Sequence, residues 1–371
     1  MSGPERGGAA GGGPAGGGPV GGVAAAGSVL VARDPIVALG TGLLERAGAT
    51  PAAARTVMDH LADASAMGLH SHGLIRIPQY LRDIATGEID PAAVPGITRV
   101  TPTRLRVEAN HGFGQVVGLA MVDALVPMAR ELGMAIAAGR GLGHTGRVGA
   151  YPEALARQGL IGLAACSAPP SGHWVAPFGG RTGRMSTNPI AFAWPVEGEP
   201  PVVADFSTAA TAEGVVRSLR NRGLAAPEGM LRDADGRPTT DPGTLYVEPR
   251  GAIQPLGGPL GYRGTALALL AEVLATLLSG EATEDPRRVG TDMAVLAIAP
   301  DGPFPGLARQ LSTHIRATPP IDPSRPVQMP GDREATNAAA TAELLVDGPT
   351  WAALTTAAAG AGLPMPEGRP G

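Results

Sequence analysis

The sequence predicts an α/β domain flanked by a helical N-terminal region. Two observations carry this. Up to about residue 132 the large apolar residues recur at helical spacing. Beyond it, short apolar runs bounded by Gly and Pro alternate with further helical patterns, as expected of strands and helices packed in layers.

Residues 1–27 are mostly Gly, Ala and Pro, too poor in large side chains to offset the entropy of ordering, and a disordered tail is expected there. From Pro35 to Met67 the residues Ile36, Leu39, Leu43, Leu44, Val57 and Leu61 follow helical spacing, with a turn at Gly48 to Pro51. The run His70 to Arg76 closes this alanine-rich helical stretch. A further helix carries Ile77, Tyr80, Leu81 and Ile84 before Gly87. Gln115 to Leu132 is the clearest amphipathic helix, with Leu119, Val122, Leu125 and Met128 on one face. The runs Met134 to Ala138, Leu160 to Ala165, Ile190 to Trp194, Val202 to Ala204 and Met293 to Ile298 read as buried strands. Helical patterns fill Tyr151 to Gln158, Ala209 to Arg222 and Gly264 to Leu278. The expected division is a tail (1–27), a helical region (28–110), an α/β domain (111–300) and a C-terminal region (301–371) that returns to the helical part, with a loose end after about residue 363.

The chain has 371 residues and is 44% apolar, enough for a large core, and its net charge of -4 argues against a nucleic-acid footprint. Every basic side chain other than histidine is arginine, which excludes a Schiff-base lysine and a P-loop lysine. The single cysteine, Cys166, allows no intramolecular disulfide and no cysteine zinc cluster, so a cytoplasmic location is expected. Cys166 follows an apolar run and reads as a packed strand residue. The apolar stretch Val20 to Ala32 is glycine-broken, too short for a bilayer and without a basic leader, so neither a membrane partner nor a signal peptide is expected.

The run His70 to Arg76 concentrates the chemistry. Ser71 and His72 can move a proton near neutral pH, and Arg76 can hold a carboxylate through two parallel hydrogen bonds. Exposed His and Arg also cap helix ends, which is the plainer reading of the run taken alone. His70 and His72 diverge on a helix and have no acidic partner nearby in sequence, so no metal site is expected. Gly141 to Gly146 fits G-x-G-x-x-G between a strand and a helix. The next strand, however, ends in Cys166 and Ser167, not in the acidic residue that would bind ribose hydroxyls, so a Rossmann fold is rejected. Asp205, at a strand end before Ser207 and Thr208, has helix capping as its plain reading.

Several ordered stretches, taken with His70 to Arg76, resemble the malate/L-lactate dehydrogenase family that is unrelated to the Rossmann-type lactate dehydrogenases. They are His144 to Tyr151, Ala176 to Gly180 leading to Arg184 to Pro189, Asp205 to Thr208, Gly236 to Pro242 leading to Pro255 to Gly258, and Met329 to Glu334. The order holds from about residue 30 to residue 360 and is most similar to the hydroxycarboxylate dehydrogenase branch. The resemblance implies a mixed β-sheet that binds NAD or NADP in a non-Rossmann manner, in a homodimer acting on a small carboxylic acid. It makes His72 the proton carrier, with Ser71 and Asp205 relaying or orienting, and Arg76 the carboxylate clamp. His144 is acid/base in some members and a cofactor-loop residue in others. Gly146, Ser167, Asp205, Phe206, Ser207, Arg263, Gly331, Asp332 and Arg333 would contact the cofactor. Two usual lysine positions of the family carry Val215 and Arg263 here, and Leu69-His70 stands where many members have aspartate.

Three readings follow. The first is NAD(P)-dependent exchange of a hydride at C2 of a 2-hydroxy or 2-oxo acid. The second is reduction of a 2-imino acid. The third is a scaffold that has lost catalysis, which Val215 favours and the joint presence of Ser71, His72, Arg76, His144 and Asp205 opposes.

Overall fold

A computed structural model describes residues 27–371, so the tail expected over 1–27 lies, Gly27 apart, outside the described residues. The chain enters through β1 (Val29–Ala32), α1 (Arg33–Arg46) and α2 (Pro51–Ala66). The Thr50 hydroxyl accepts from the Ala53 amide at 3.2 Å and caps α2, while Pro51 takes the first helical position, where no amide donor is needed. Gly68, with φ +81°, breaks the chain away from α2. The His70–His72 and Leu74–Arg76 segments are therefore two single 3₁₀ turns between α2 and α3 (Ile77–Ala85), rather than the end of a long helix.

Next come β2 (Gly96–Thr101), β3 (Arg104–Glu108), α4 (Gly114–Leu132), β4 (Met134–Leu142), α5 (Ala150–Ala156), β5 (Ile161–Ser167), β6 (Ile190–Val196), β7 (Glu199–Phe206) and α6 (Glu213–Asn221). Three two-residue strands, β8 (Leu231–Arg232), β9 (Pro238–Thr239) and β10 (Ala252–Ile253), form a small sheet of their own. The chain closes through α7 (Tyr262–Glu272) and its π-helical continuation Val273–Leu277, β11 (Thr291–Ile298), α8 (Phe304–Arg316), α9 (Asp332–Ala340), β12 (Glu343–Val346), α10 (Gly348–Ala361) and β13 (Gly368–Pro370).

The large sheet has seven strands in the order β2-β3-β4-β11-β5-β6-β7. Only β3 and β4 pair in parallel; every other pair is antiparallel. It is thus the mixed, open sheet that the resemblance implies. A Rossmann unit needs its glycine loop to lead into a parallel neighbour, but β11 lies between β4 and β5. Val117, Met121, Val122 and Leu125 of α4 and Tyr151 and Leu155 of α5 pack on the buried side chains of β4, β5 and β11. Each such side chain contributes about 1.5–3 kcal/mol by leaving water. A second core joins α1, α2 and α3 to β12 and α10.

Two expectations need correction. Residues 96–108, placed in the helical region, form the β2–β3 hairpin at the edge of the large sheet. The end after residue 363 is not loose. Leu363 and Met365 pack on the helical core, and β13 pairs antiparallel with β1, which β12 flanks on its other side. A Gly-Arg-Pro strand carries no apolar pattern, and here backbone pairing with β1 and the Arg369–Glu343 ion pair order it.

Candidate active site

Between the helical region and the sheet lies a cleft of about 1250 Å³, above the roughly 300–1,000 Å³ usual for small-molecule sites. Its walls come from the 3₁₀ turns (Ser71, His72, Arg76), the loop after β4 (His144 to Val148) and the end of β5 (Cys166, Ser167). The ends of β7 and the start of α6 (Asp205, Phe206, Ser207, Glu213 to Val215) and the approach to α9 (Gln328 to Gly331, Arg333) complete them.

The His72 and His144 rings stack with centroids 5.8 Å apart and planes 14° from parallel. The Ser71 hydroxyl lies 3.0 Å from His72 Nδ1 and, being able to rotate, can either donate to or accept from it. Burial first, then the Arg76 and Arg147 charges, push His72 down to about 4. Burial, followed by Arg76, His72 and His60, holds His144 well below the ordinary histidine range. Both imidazoles are therefore neutral at physiological pH.

Arg76 Nε donates to the Ser71 carbonyl at 2.6 Å, and one terminal nitrogen donates to Gln79 Oε1 at 2.6 Å. These bonds aim the guanidinium but leave its other donors unused. Among the described residues no carboxylate pairs with it, although its charge sits in a half-buried wall of the cleft. A desolvated cation without a counter-ion is costly, and the anion that relieves it would be a ligand's.

The loop after β4 ties three elements together. The Arg147 amide donates to His60 Nε2 on α2 at 2.8 Å, the Gly149 amide donates to Asp205 Oδ2 at 2.7 Å, and His144 Nδ1 lies 2.7 Å from the Tyr80 hydroxyl on α3. Gly146 is needed there. Its φ is +68°, and a Cβ would come within 2.3 Å of His60 Nε2. The Arg147 guanidinium is buried against Glu153, which also receives Arg157 at 2.6 Å.

Of the residues singled out by sequence, Ser71, His72, Arg76, His144, Gly146, Ser167, Asp205, Phe206, Ser207, Gly331 and Arg333 all line this one cleft. Asp205 faces the open cleft, yet burial among protein groups raises its carboxyl above the ordinary aspartate range, against the lowering effect of the Gly149 amide and Arg147. It bonds to that amide and to neither imidazole, so the hydrogen bond expected to orient His72 is not made. Ser167 turns its hydroxyl away from the cleft, donating to Glu272 at 2.8 Å and accepting from Arg288 at 3.2 Å.

Two expected cofactor residues are not in the cleft wall. Arg263 is exposed at the start of α7 and folds back on Tyr262, 5.6 Å from its ring centroid. Asp332 is committed to Arg316, with bonds of 2.8 and 3.1 Å, and to the Met329 amide at 2.8 Å. It shapes the turn that presents Gly331 and Arg333. Sequence reasoning missed His60, Gln115 and the hydroxyl of Tyr80. Each sits at a helical apolar position and reads there as core, and only the fold brings it to the loop after β4.

Comparison with known proteins agrees with this geometry. The sequence profile of the malate/L-lactate dehydrogenase family matches residues 31–355. The chain belongs to this family. An L-lactate dehydrogenase of Cupriavidus necator is 35% identical over 300 residues, covering 78% of this chain and 85% of that protein. A (2R)-3-sulfolactate dehydrogenase (NADP(+)) of Chromohalobacter salexigens is 38% identical, over 65% of this chain and 70% of its own length. The crystal structure of a Δ1-piperideine-2-carboxylate reductase from Pseudomonas syringae superposes with a TM-score of 0.78 at 30% identity, over 88% of this chain and 99% of that one. Within this family of dehydrogenases and reductases the chain is an oxidoreductase. No helix among the described residues is long and apolar enough to cross a membrane.

Proposed function

We propose that the protein is an NAD(P)-dependent oxidoreductase that exchanges a hydride at C2 of a small 2-hydroxy or 2-oxo acid. The observation that carries this is the unpaired Arg76 guanidinium beside two neutral imidazoles in one cleft. The cleft is roomy enough for a dinucleotide and an acid together. Gly331, at φ +88°, has the Val203 carbonyl 2.9 Å from where a Cβ would stand, so glycine lets this turn of the cleft wall pack against β7. Gly146, Phe206, Ser207, Gly331 and Arg333 would hold the nicotinamide cofactor, which when bound supplies or takes the hydride.

The chain's own residues do the rest. Arg76 binds the carboxylate through its unused donors and so orients C2. In oxidation His72 takes the hydroxyl proton at the ring nitrogen opposite Ser71, and in reduction it returns that proton. The neutral ring that does this carries its proton on Nδ1 and donates it to the Ser71 hydroxyl, which goes on accepting when the imidazolium forms. Carboxylate binding also cancels part of the Arg76 charge, which raises the proton affinity of His72 when the substrate is in place. Replacing Arg76 by methionine is expected to raise KM for 2-oxo acids by about 10- to 200-fold, the equivalent of one charge-assisted contact of about 1.5–3 kcal/mol. Steady-state oxidation of NADH and NADPH with a panel of 2-oxo acids measures it. An unchanged KM would remove Arg76 from the substrate site, and no turnover with any acid would remove the reading.

One observation favours a 2-imino acid as substrate. An iminium already carries its proton and needs no charged imidazole, and His72 is held at about 4. Turnover confined to samples that also contain an amine would select this reading.

The family resemblance suggests a homodimer, and an exposed stripe supports it. Tyr262, Leu269, Leu270, Val273 and Leu277 lie about half exposed along α7 and its π-helical continuation, with Phe178 and Leu260 beside them. Patches of this kind mark interfaces. Val273→Arg is expected to lower the mass in solution from twice the 37.2 kDa chain to once, by light scattering after gel filtration. A parent protein that is already a monomer would overturn the dimer.

A further inference from the structure

We infer that Tyr80 and Gln115 are positioning residues that lock His144 in one neutral tautomer, with Nδ1 bare and the proton on Nε2, so that His144 serves the reaction as a hydrogen-bond donor and leaves proton exchange to His72. The inference rests on the proposed reaction at C2 and assigns the division of labour between its two histidines.

The chain of contacts is short and buried. Gln115 is on α4 and Tyr80 on α3, both without exposure to solvent. The Gln115 amide nitrogen donates to the Tyr80 oxygen at 2.7 Å. That leaves the single phenolic proton for the other contact, 2.7 Å away at His144 Nδ1. A nitrogen that accepts a hydrogen bond carries no proton, so in the neutral ring the proton is on Nε2. Burial raises the Tyr80 phenol far above its ordinary value, so it remains a donor throughout the working pH range.

The direction of the wire follows from what each arrangement leaves unpaired. As it stands, the one unpaired buried atom among Gln115, Tyr80 and His144 is the Gln115 Oε1 oxygen. Reversing the amide would place its NH2 group in that dry position, and unpaired buried donors are rarer than under-satisfied carbonyl oxygens. Protonating Nδ1 would turn both the Gln115 amide and the His144 ring into donors toward the Tyr80 oxygen and strand the phenolic proton.

Nδ1 points to buried Tyr80, so the opposite nitrogen is the one left for the cleft, and among the described residues nothing accepts from it. A neutral donor there can polarise a C2 oxygen or hold a carboxylate oxygen without itself becoming charged. His72 has no such constraint, because its partner is the rotatable Ser71 hydroxyl. One histidine is therefore fixed as a donor, and the other is free to take and give a proton.

The test is the tautomer itself, read by nitrogen NMR on protein labelled in histidine, with the His144→Gln spectrum to assign the signals. The expected parent spectrum, without substrate or cofactor, shows a protonated Nε2 and a bare Nδ1 for His144 between pH 6 and 9. In Tyr80→Phe the lock is gone. A mixture of tautomers is expected, with kcat lowered about tenfold and KM for the acid nearly unchanged. In Gln115→Leu the Tyr80 oxygen loses its donor and is free to accept from Nδ1–H, so the Nε2–H preference of His144 is expected to weaken toward a mixture of tautomers. This second variant also decides the matter should Tyr80→Phe fold poorly. A parent spectrum with Nδ1 protonated, or populations that Tyr80→Phe leaves unmoved, overturns the inference. A locked Nε2–H tautomer in a protein that turns over no acid at all would overturn the functional reading and leave the lock standing.

Discussion

His72→Ala is expected to lower kcat by about 10²- to 10⁴-fold, the usual share of a general acid or base, while binding of NADH or NADPH by calorimetry stays close to that of the parent. The pH profile of the parent sharpens this. For oxidation of a 2-hydroxy acid the imidazole must be neutral, and its proton affinity in the free enzyme corresponds to about 4. The kcat/KM for oxidation should therefore be level from pH 8 down to about 5 and fall only near 4. The kcat profile should break at a higher pH, because bound carboxylate offsets the Arg76 charge that helps to depress His72. Reduction runs the other way, with kcat/KM rising as the pH falls. His144→Ala, by contrast, should lose rate without moving the break. If His144→Ala removes the break and His72→Ala keeps it, the roles of the two histidines are exchanged.

Much of this was legible in the sequence because it lies in contiguous residues. The run Ser71 to Arg76 carries its hydroxyl, imidazole and guanidinium in one stretch, and Asp205 to Ser207 sits at a strand end where an α/β cleft opens. The strands showed as apolar runs, since burial on both faces leaves little room for polar residues. The rest depends on distance in the chain. Tyr80 and His144 are 64 residues apart, Gln115 and Tyr80 35, and His60 and Arg147 87. His60, Tyr80 and Gln115 lie on three different helices, and only the packing of α2, α3 and α4 against the loop after β4 brings them to Arg147 and His144. Arg263 fails for a different reason: register on a helix places a backbone, while the side chain at the exposed start of α7 finds its own neighbour. Asp332 reads as a ligand because it stands in a loop motif, yet Arg316, sixteen residues earlier, takes its carboxylate. The β13 strand carries no pattern at all.

Acidification should destabilise this protein from pH about 6.5 downward, because its buried histidines are held neutral. His60 is held down to about 3 by burial and then by Arg147 and His72, His72 to about 4, and His144 well below the ordinary range. In the unfolded chain all three return to about 6.5. A histidine with a depressed folded value binds more protons when unfolded, so its contribution to stability is complete above pH about 6.5 and is lost as the pH falls toward the folded value. At pH 5 His60 and His72 have each forfeited about 2 kcal/mol, some 4 kcal/mol together, and His144 acts in the same direction, against a total stability of about 5–15 kcal/mol. Asp292, raised to about 6 by burial, has the opposite sign and returns about 1.4 kcal/mol at that pH, and raised Asp205 also acts in that direction. The net loss remains several kcal/mol. Thermal melts followed by circular dichroism should show Tm falling by about 10 °C between pH 7.5 and pH 5. His60→Gln separates this cause from a general acid effect. Its side-chain oxygen can still accept from the Arg147 amide, but it does not titrate, so it should cost some stability at pH 7.5 and recover about 2 kcal/mol relative to the parent at pH 5. Equal Tm values for the parent at the two pH values would mean that these imidazoles are not held neutral, and the assignment of His144 as a donor would fall with them.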